Sequence, residues 1–221
     1  MNFLIKKILA FFDFSHKKKI VRNLKRINPN GSFKVVLDVG AHEGESIELF
    51  LKNFDVEHIY SFEPSEFTFK TLTKNCENLR KKFTNTKIHL ENIAIGYWTK
   101  DVELNFLRES SSSTLKDLNI NSKYFKKKEK YLGKLLNKKI KVKQVNFKEY
   151  LEKNKITKID FLKIDTEGYE LEVLKGLKDF ISKVSIILFE HHFDNMIVKK
   201  YTFSDINNLL KNHGFNKFYK V

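Results

Sequence analysis

Hydrophobic positions along the chain alternate between short continuous apolar runs and helix-like spacing. The run KVVLDV at 34–39 follows the turn cluster NPNGS at 28–32 and suits a strand buried on both faces. Immediately after it, Ile47, Leu49, Phe50 and Leu51 recur within Glu45–Asn53 as on an amphipathic helix. HIYSFE at 58–63 predicts a second strand that Pro64 ends, and Ser65 with Glu66 opens a helix reaching about Lys82. IHLENIAIG at 88–96 predicts a third strand, and residues 102–107 alternate like an edge or hairpin strand. Further strands are expected at 140–147, 159–164, 184–190 and 215–221. Helices are expected at 148–154, 170–182 and 204–212, the last closed by Gly214.

Strands that alternate with helices in this way imply one α/β domain over residues 31–221. Its mostly parallel sheet would carry helices on both faces. Two stretches fall outside the rhythm. Residues 1–30 form a basic lead-in, in which Phe3, Leu4, Ile8, Phe11 and Phe12 share one helical face beside Lys6 and Lys7. Such a helix suits either packing on the domain or, through residues 1–20, peripheral contact with an anionic membrane. Residues 108–139 are serine-rich and then lysine-rich, and read as a polar excursion over the sheet.

Composition sharpens this picture in three ways. The net charge of +15 invites a nucleic-acid partner, but only Arg22, Arg26, Arg80 and Arg108 are arginines among 42 basic residues. Lysine lacks arginine's bidentate fork, so the charge argues weakly for nucleic-acid recognition. No stretch reaches the roughly 18 apolar residues of a membrane span, and no small-residue cleavage site follows the lead-in. The single Cys76 suits a reducing compartment, so the expected location is cytoplasmic, with an inner-membrane face as its peripheral option.

The candidate chemistry lies where strands end. In an open parallel sheet, ligands bind outside the carboxyl ends of the strands. The first strand runs into Asp38-Val-Gly40-Ala41-His-Glu-Gly44, and the second ends in Glu63, 19 residues after Gly44. That spacing matches the acid that receives ribose hydroxyls in nucleoside-binding folds. The glycines do not follow the G-x-G-x-x-G spacing of a dinucleotide loop, and an acid before the loop would repel a pyrophosphate. The pairing suits a nucleoside that carries an amino-acid tail, namely S-adenosylmethionine, with Asp38 holding its ammonium directly or through backbone and water contacts. Asp165 and Glu167 close the strand at 159–164, and Glu190-His191-His192 closes the one at 184–190.

The segments VVLDVGAHEGESIELF, IYSFEPSEFTFKTLTKN, NIAIG and FLKIDTEGYELEVLKGL together resemble the FkbM family of S-adenosylmethionine-dependent methyltransferases. The resemblance spans about residues 33–215. It implies a class I methyltransferase (Rossmann-like) fold with seven strands, and methylation of a hydroxyl on a sugar, glycan or related small molecule. It implies that Asp38, Gly40, Ala41 and Gly44 form the donor loop, with Glu63 and Pro64 at the ribose. Asn92 and Ala94 would flank the adenine, and Asp165 would close the pocket. One departure is Asn146, where the family commonly has an acid.

Methyl transfer to a hydroxyl needs a base, and Asp165, Glu167 and His191 are the candidates. No metal-ligand spacing is diagnostic, so none is assigned. The serines at 110–113 suit a lid on the acceptor side. The alternatives are methylation of RNA or protein, and a non-catalytic nucleoside-binding module associated with glycan assembly.

Overall fold

A computed structural model describes residues 3–107, 110–133, 135 and 138–220, with the side chains of residues 3–14, 110 and 132 excepted. The apolar face expected of Phe3, Leu4, Ile8, Phe11 and Phe12 therefore lies outside the described side chains. The chain runs α1 (Phe3–Ile27), β1 (Ser32–Val39), α2 (Glu45–Asn53), β2 (Asp55–Phe62), α3 (Glu66–Lys82), β3 (Lys87–Glu91), β4 (Ala94–Gly96) and β5 (Lys100–Phe106). A 3-10 turn at Ser110–Ser112 precedes α4 (Lys123–Leu132), β6 (Lys138–Asn146), α5 (Phe147–Lys153), β7 (Ile159–Ile164) and α6 (Glu170–Gly176). A second 3-10 turn (Lys178–Lys183), β8 (Val184–Phe189) and α7 (Phe203–Asn212) follow.

Five strands form a parallel sheet in the order β3-β2-β1-β7-β8. Strand order reverses at β1, so the crevice between the ends of β1 and β7 is the expected place for a ligand. The continuous apolar run in β1 has a simple cause: both faces are covered. Leu37 and Val39 point into a core with α5, α6 and α7, whereas Phe33 and Val36 pack with α1, α2 and α3 on the other side. Cys76 lies buried in the second of these cores.

The expected seven-stranded sheet is not formed. The sheet has five strands, and β4, β6 and β5 make a separate three-stranded one. The run 88–96 splits at Asn92-Ile93, so its two halves serve different sheets. Residues 215–220 form no strand. Among the described residues β8 pairs only with β7, and without a ladder partner an extended tail is not a strand; Val221 lies outside the described residues. The helix expected over 170–182 breaks at Leu177 into the 3-10 turn.

The excursion is also more structured than its polarity suggests. Asn105 and Thr114 exchange backbone hydrogen bonds, and Leu118 bridges to Ile197. Phe125 and Leu135 bury against Met196 and Ile197 in a small core of their own. The segment thus zips onto the stretch after β8 and forms a wall beside the ends of β7 and β8.

Candidate active site

Backbone geometry at the end of β1 sets the site. Gly40 has φ +86°, and a Cβ there would lie 1.8 Å from the carbonyl oxygen of Asp165. Only glycine lets the exits of β1 and β7 approach this closely. The amides of Gly40 and Ala41 both donate to the carbonyl of Phe62, and Gly44 N–H donates to that of Ala41. These amides are already bonded, so the loop is not a phosphate cradle of the dinucleotide kind. Gly44 itself, at φ +99°, opens α2 and packs toward Leu72 rather than into the groove.

An open groove of about 1750 Å³ passes the carboxyl ends of the strands and continues along β8 between α1 and residues 214–220. Gly40, Ala41, Glu63, Pro64, Ala94 and Asp165 line it, and so do Glu167 and His191. Glu63 is only 8% exposed. Its carboxylate accepts N–H bonds from His42 at 3.2 Å and Ser65 at 2.9 Å. Burial outweighs those bonds and pushes its pKa up to about 7. Asn92 stands behind it, donating to the carbonyls of Glu63 at 2.8 Å and Pro64 at 3.2 Å. Asn92 therefore braces the turn and is not part of the groove's lining; Ile93 and Ala94 supply the wall there.

Asp38 lies behind the groove wall, where its side chain offers no direct contact to a ligand ammonium. It is fully buried and does not itself line the groove, accepting a hydrogen bond at 2.7 Å from Ser46, which does. Its other oxygen lies 3.2 Å from the ammonium of Lys163, which lies 3.2 Å from Asp165 on its far side. Burial raises the Asp38 pKa despite the lysine. Burial also pulls Lys163 down, but Asp165 and Asp38 outweigh it and hold the ammonium above its ordinary value. Asp38 thus acts through Lys163, fixing the orientation of Asp165 at the groove. Lys163 was not singled out from the sequence, although β1 and β7 pair Asp38 directly with Lys163.

Glu167 holds the other side of the groove. It sits at φ +51°, and Thr114 of the excursion donates its hydroxyl to the Glu167 carbonyl at 2.6 Å. Burial, then the charges of Asp165 and Glu190, push its carboxyl up to about 9. Its partner is His192, whose Nε2 lies 3.1 Å from a Glu167 oxygen. His191 lies instead among Phe193, Tyr201 and Phe203, and burial lowers its pKa. Its Nδ1 is buried and makes no hydrogen bond. β8 ends at Phe189, before both histidines, so strand alternation does not set their facing, and the carboxylate contact falls to His192.

One further acid organises the loop. Glu170, fully buried, accepts N–H bonds from Thr166 at 3.3 Å and Gly168 at 2.9 Å, and hydroxyl bonds from Thr166 and Tyr201. Asn146 lies elsewhere, capping α5 by accepting from Glu149 N–H at 3.0 Å. Its departure from the family pattern therefore leaves the groove's chemistry intact. Ser111 and Ser113 line the groove beside the excursion. Among the described residues, no group of three or more His, Cys, Asp or Glu side chains is arranged to hold a metal ion. None of the described helices is long and apolar enough to cross a membrane.

Comparison with known proteins identifies the family and the fold. Residues 38–217 match the Methyltransferase FkbM domain, which covers most of the chain and places it in that family. In fold it is similar to the crystal structure of Methyltransferase FkbM from Methylobacillus flagellatus KT, with a TM-score of 0.53 at 18% sequence identity. The superposition covers 82% of this chain and 37% of that one, so the chain spans well under half the length of that protein. A search of curated proteins finds no match.

Proposed function

We propose that this member of the FkbM methyltransferase family is an S-adenosylmethionine-dependent O-methyltransferase acting on a hydroxyl of a glycan or related small molecule. The observation that carries this reading is the gathering of Glu63, Asp165 and Glu167 along one groove at the carboxyl rim of the sheet. The residues present suit the donor. Glu63 keeps oxygen lone pairs for the ribose hydroxyls beyond the two N–H bonds it accepts. Pro64, Ile93 and Ala94 offer an apolar wall for a base, and the carboxylates favour a cationic sulfonium.

When bound, the donor supplies a methyl group already activated for in-line displacement. The protein's share is alignment and proton removal. Asp165, held by Lys163, presents a fixed negative charge to the groove. Glu167 is the proton acceptor in its ionised form. With its carboxyl pushed up to about 9, the carboxylate is a stronger base than a solvated one, and the share of it that is ionised grows as pH rises toward that value; the His192 ring lies 3.1 Å away. A bound donor would supply the methyl carbon, its carbon–sulfur bond breaking and the sulfur leaving as the neutral thioether, while a Glu167 oxygen would take the proton of the acceptor hydroxyl. The excursion wall, through Ser111 and Ser113, borders the side from which the acceptor enters.

Calorimetry with S-adenosylhomocysteine tests the donor half of this reading. Glu63→Ala is expected to weaken binding by about 1–3 kcal/mol through lost ribose hydrogen bonds. Unchanged affinity would remove Glu63 from the site.

A further inference from the structure

Strand β4 ends at Gly96, and the next two residues are Tyr97 and Trp98. Trp98, the single tryptophan of the chain, is 60% exposed. Its indole stands at 88° to the Tyr97 ring, with centroids 4.6 Å apart. A lone exposed ring on a loose turn would signify little, but this turn is pinned from below. Gln144, fully buried, donates to the Trp98 carbonyl at 2.7 Å, and Asn146, also buried, donates to the Tyr97 carbonyl. The backbone is fixed while a large apolar face is left in water.

Beside the two rings lies a cleft of about 620 Å³, walled by α6 and the end of α7. Its polar groups suit hydroxyls. His213 donates from Nδ1 to the Leu209 carbonyl at 2.9 Å, so in the neutral ring Nε2 is left as an acceptor. Lys175 and Lys178 supply ammonium donors. Lys178 adopts φ +52°, uncommon for lysine, and its nitrogen lies 5.8 Å from the Tyr97 centroid. Tyr169 lines both this cleft and the groove, so the two share that ring as a wall. Its hydroxyl donates to the same Gln144 at 2.9 Å.

We propose that this cleft is a saccharide subsite, with the Trp98 indole as the platform for a pyranose ring. The C–H face of a pyranose is apolar and weakly positive, and it lies flat against the negative face of an indole. Hydroxyls at the rim of the sugar then meet the lysine donors and the His213 acceptor. A nucleotide would stack as well, but its phosphates need arginine or a cradle of amides. The cleft offers neither, and α7 turns its carbonyl end toward it. The subsite deepens the function proposed above and rests on its glycan half: the unit next to the methylated one sits on Trp98, across Tyr169 from the groove.

Trp98 reports its own occupancy, since no other indole contributes to the emission. Glucose, galactose, mannose, rhamnose, N-acetylglucosamine and glucuronate are titrated into the full chain, with sorbitol as a hydroxylated control that has no ring face. At least one sugar is expected to shift the emission and to protect the indole from iodide quenching by about twofold. Sorbitol is expected to do neither. Lys178→Met and His213→Phe should each weaken sugar binding by about fivefold through one lost hydrogen bond. Trp98→Leu should abolish the saturation-transfer NMR signal of the same sugar. All three side chains are exposed, and thermal melting checks that the variants remain folded. Silence of Trp98 toward every sugar overturns the proposal, and so does an equal response to sorbitol. Sugar binding that survives all three substitutions, or a stronger response to uridine monophosphate, overturns it too. Calorimetry with S-adenosylhomocysteine separates the failures. Nucleoside binding without sugar binding overturns the subsite alone, and the reverse overturns the donor reading alone.

Discussion

Removing the Lys163 ammonium is the sharpest perturbation of the rim. The ammonium lies 3.2 Å from an oxygen of Asp38 and 3.2 Å from one of Asp165. At an effective dielectric constant of about 20, each contact is worth about 5 kcal/mol of attraction before desolvation is subtracted. Lys163→Met leaves Asp38 fully buried with only Ser46 as a side-chain donor, and a stranded buried charge costs about 3–5 kcal/mol. With a urea slope of about 2 kcal/mol per molar, the unfolding midpoint should fall by about 2 M. The pH dependence has a defined sign. Asp38 already has a raised pKa, and loss of the lysine raises it further. A carboxyl with a raised folded pKa destabilises increasingly as pH climbs above its unfolded value, so the deficit should be greatest at neutral pH and shrink toward pH about 4. Asp38→Asn combined with Lys163→Met should recover part of the loss. A deficit below about 1 kcal/mol, or one independent of pH, refutes the reasoning; the exposed Lys141→Met supplies the baseline for a surface lysine.

Two other outcomes follow from the groove. Because the Glu63 pKa is pushed up to about 7, ribose hydroxyls meet its carboxylate fully only above that pH. Affinity for S-adenosylhomocysteine should therefore fall by up to about tenfold per pH unit below about 7, and Glu63→Gln should flatten the profile; calorimetry across that range reads it. Gly40→Ala places a methyl group 1.8 Å from the Asp165 carbonyl in a left-handed conformation, so it should both lower the melting temperature and abolish nucleoside binding.

How far the sequence carried depends on what each signal measures. β7 at Ile159–Ile164 and α2 at Glu45–Asn53 fall where the hydrophobic spacing predicts them, because both bury a periodic set of side chains. The division of 88–96 was not legible, since an apolar run does not say which sheet it joins. The missing last strand shares that cause: alternation at 215–220 describes a strand only if a neighbour bonds to it. Lys163 was hidden within an apolar run, yet period two places it on the face of Asp165, and pairing with β1 sets it against Asp38. That pairing is a property of the sheet and not of either segment. The contact of His192 with Glu167 is likewise set by the loop after β8, where no periodicity applies. The buried wall of Phe125, Leu135, Met196 and Ile197 joins residues some 60–70 positions apart, too sparse in either segment to announce a core.

A crystal structure with S-adenosylhomocysteine bound tests the central claim most directly. The ribose hydroxyls should lie within hydrogen-bonding distance of Glu63, the adenine against Pro64 and Ala94, and the sulfur on the side of the groove bounded by Asp165 and Glu167. A nucleoside bound elsewhere on the molecule, or a groove that takes none at saturating concentration, would contradict the account.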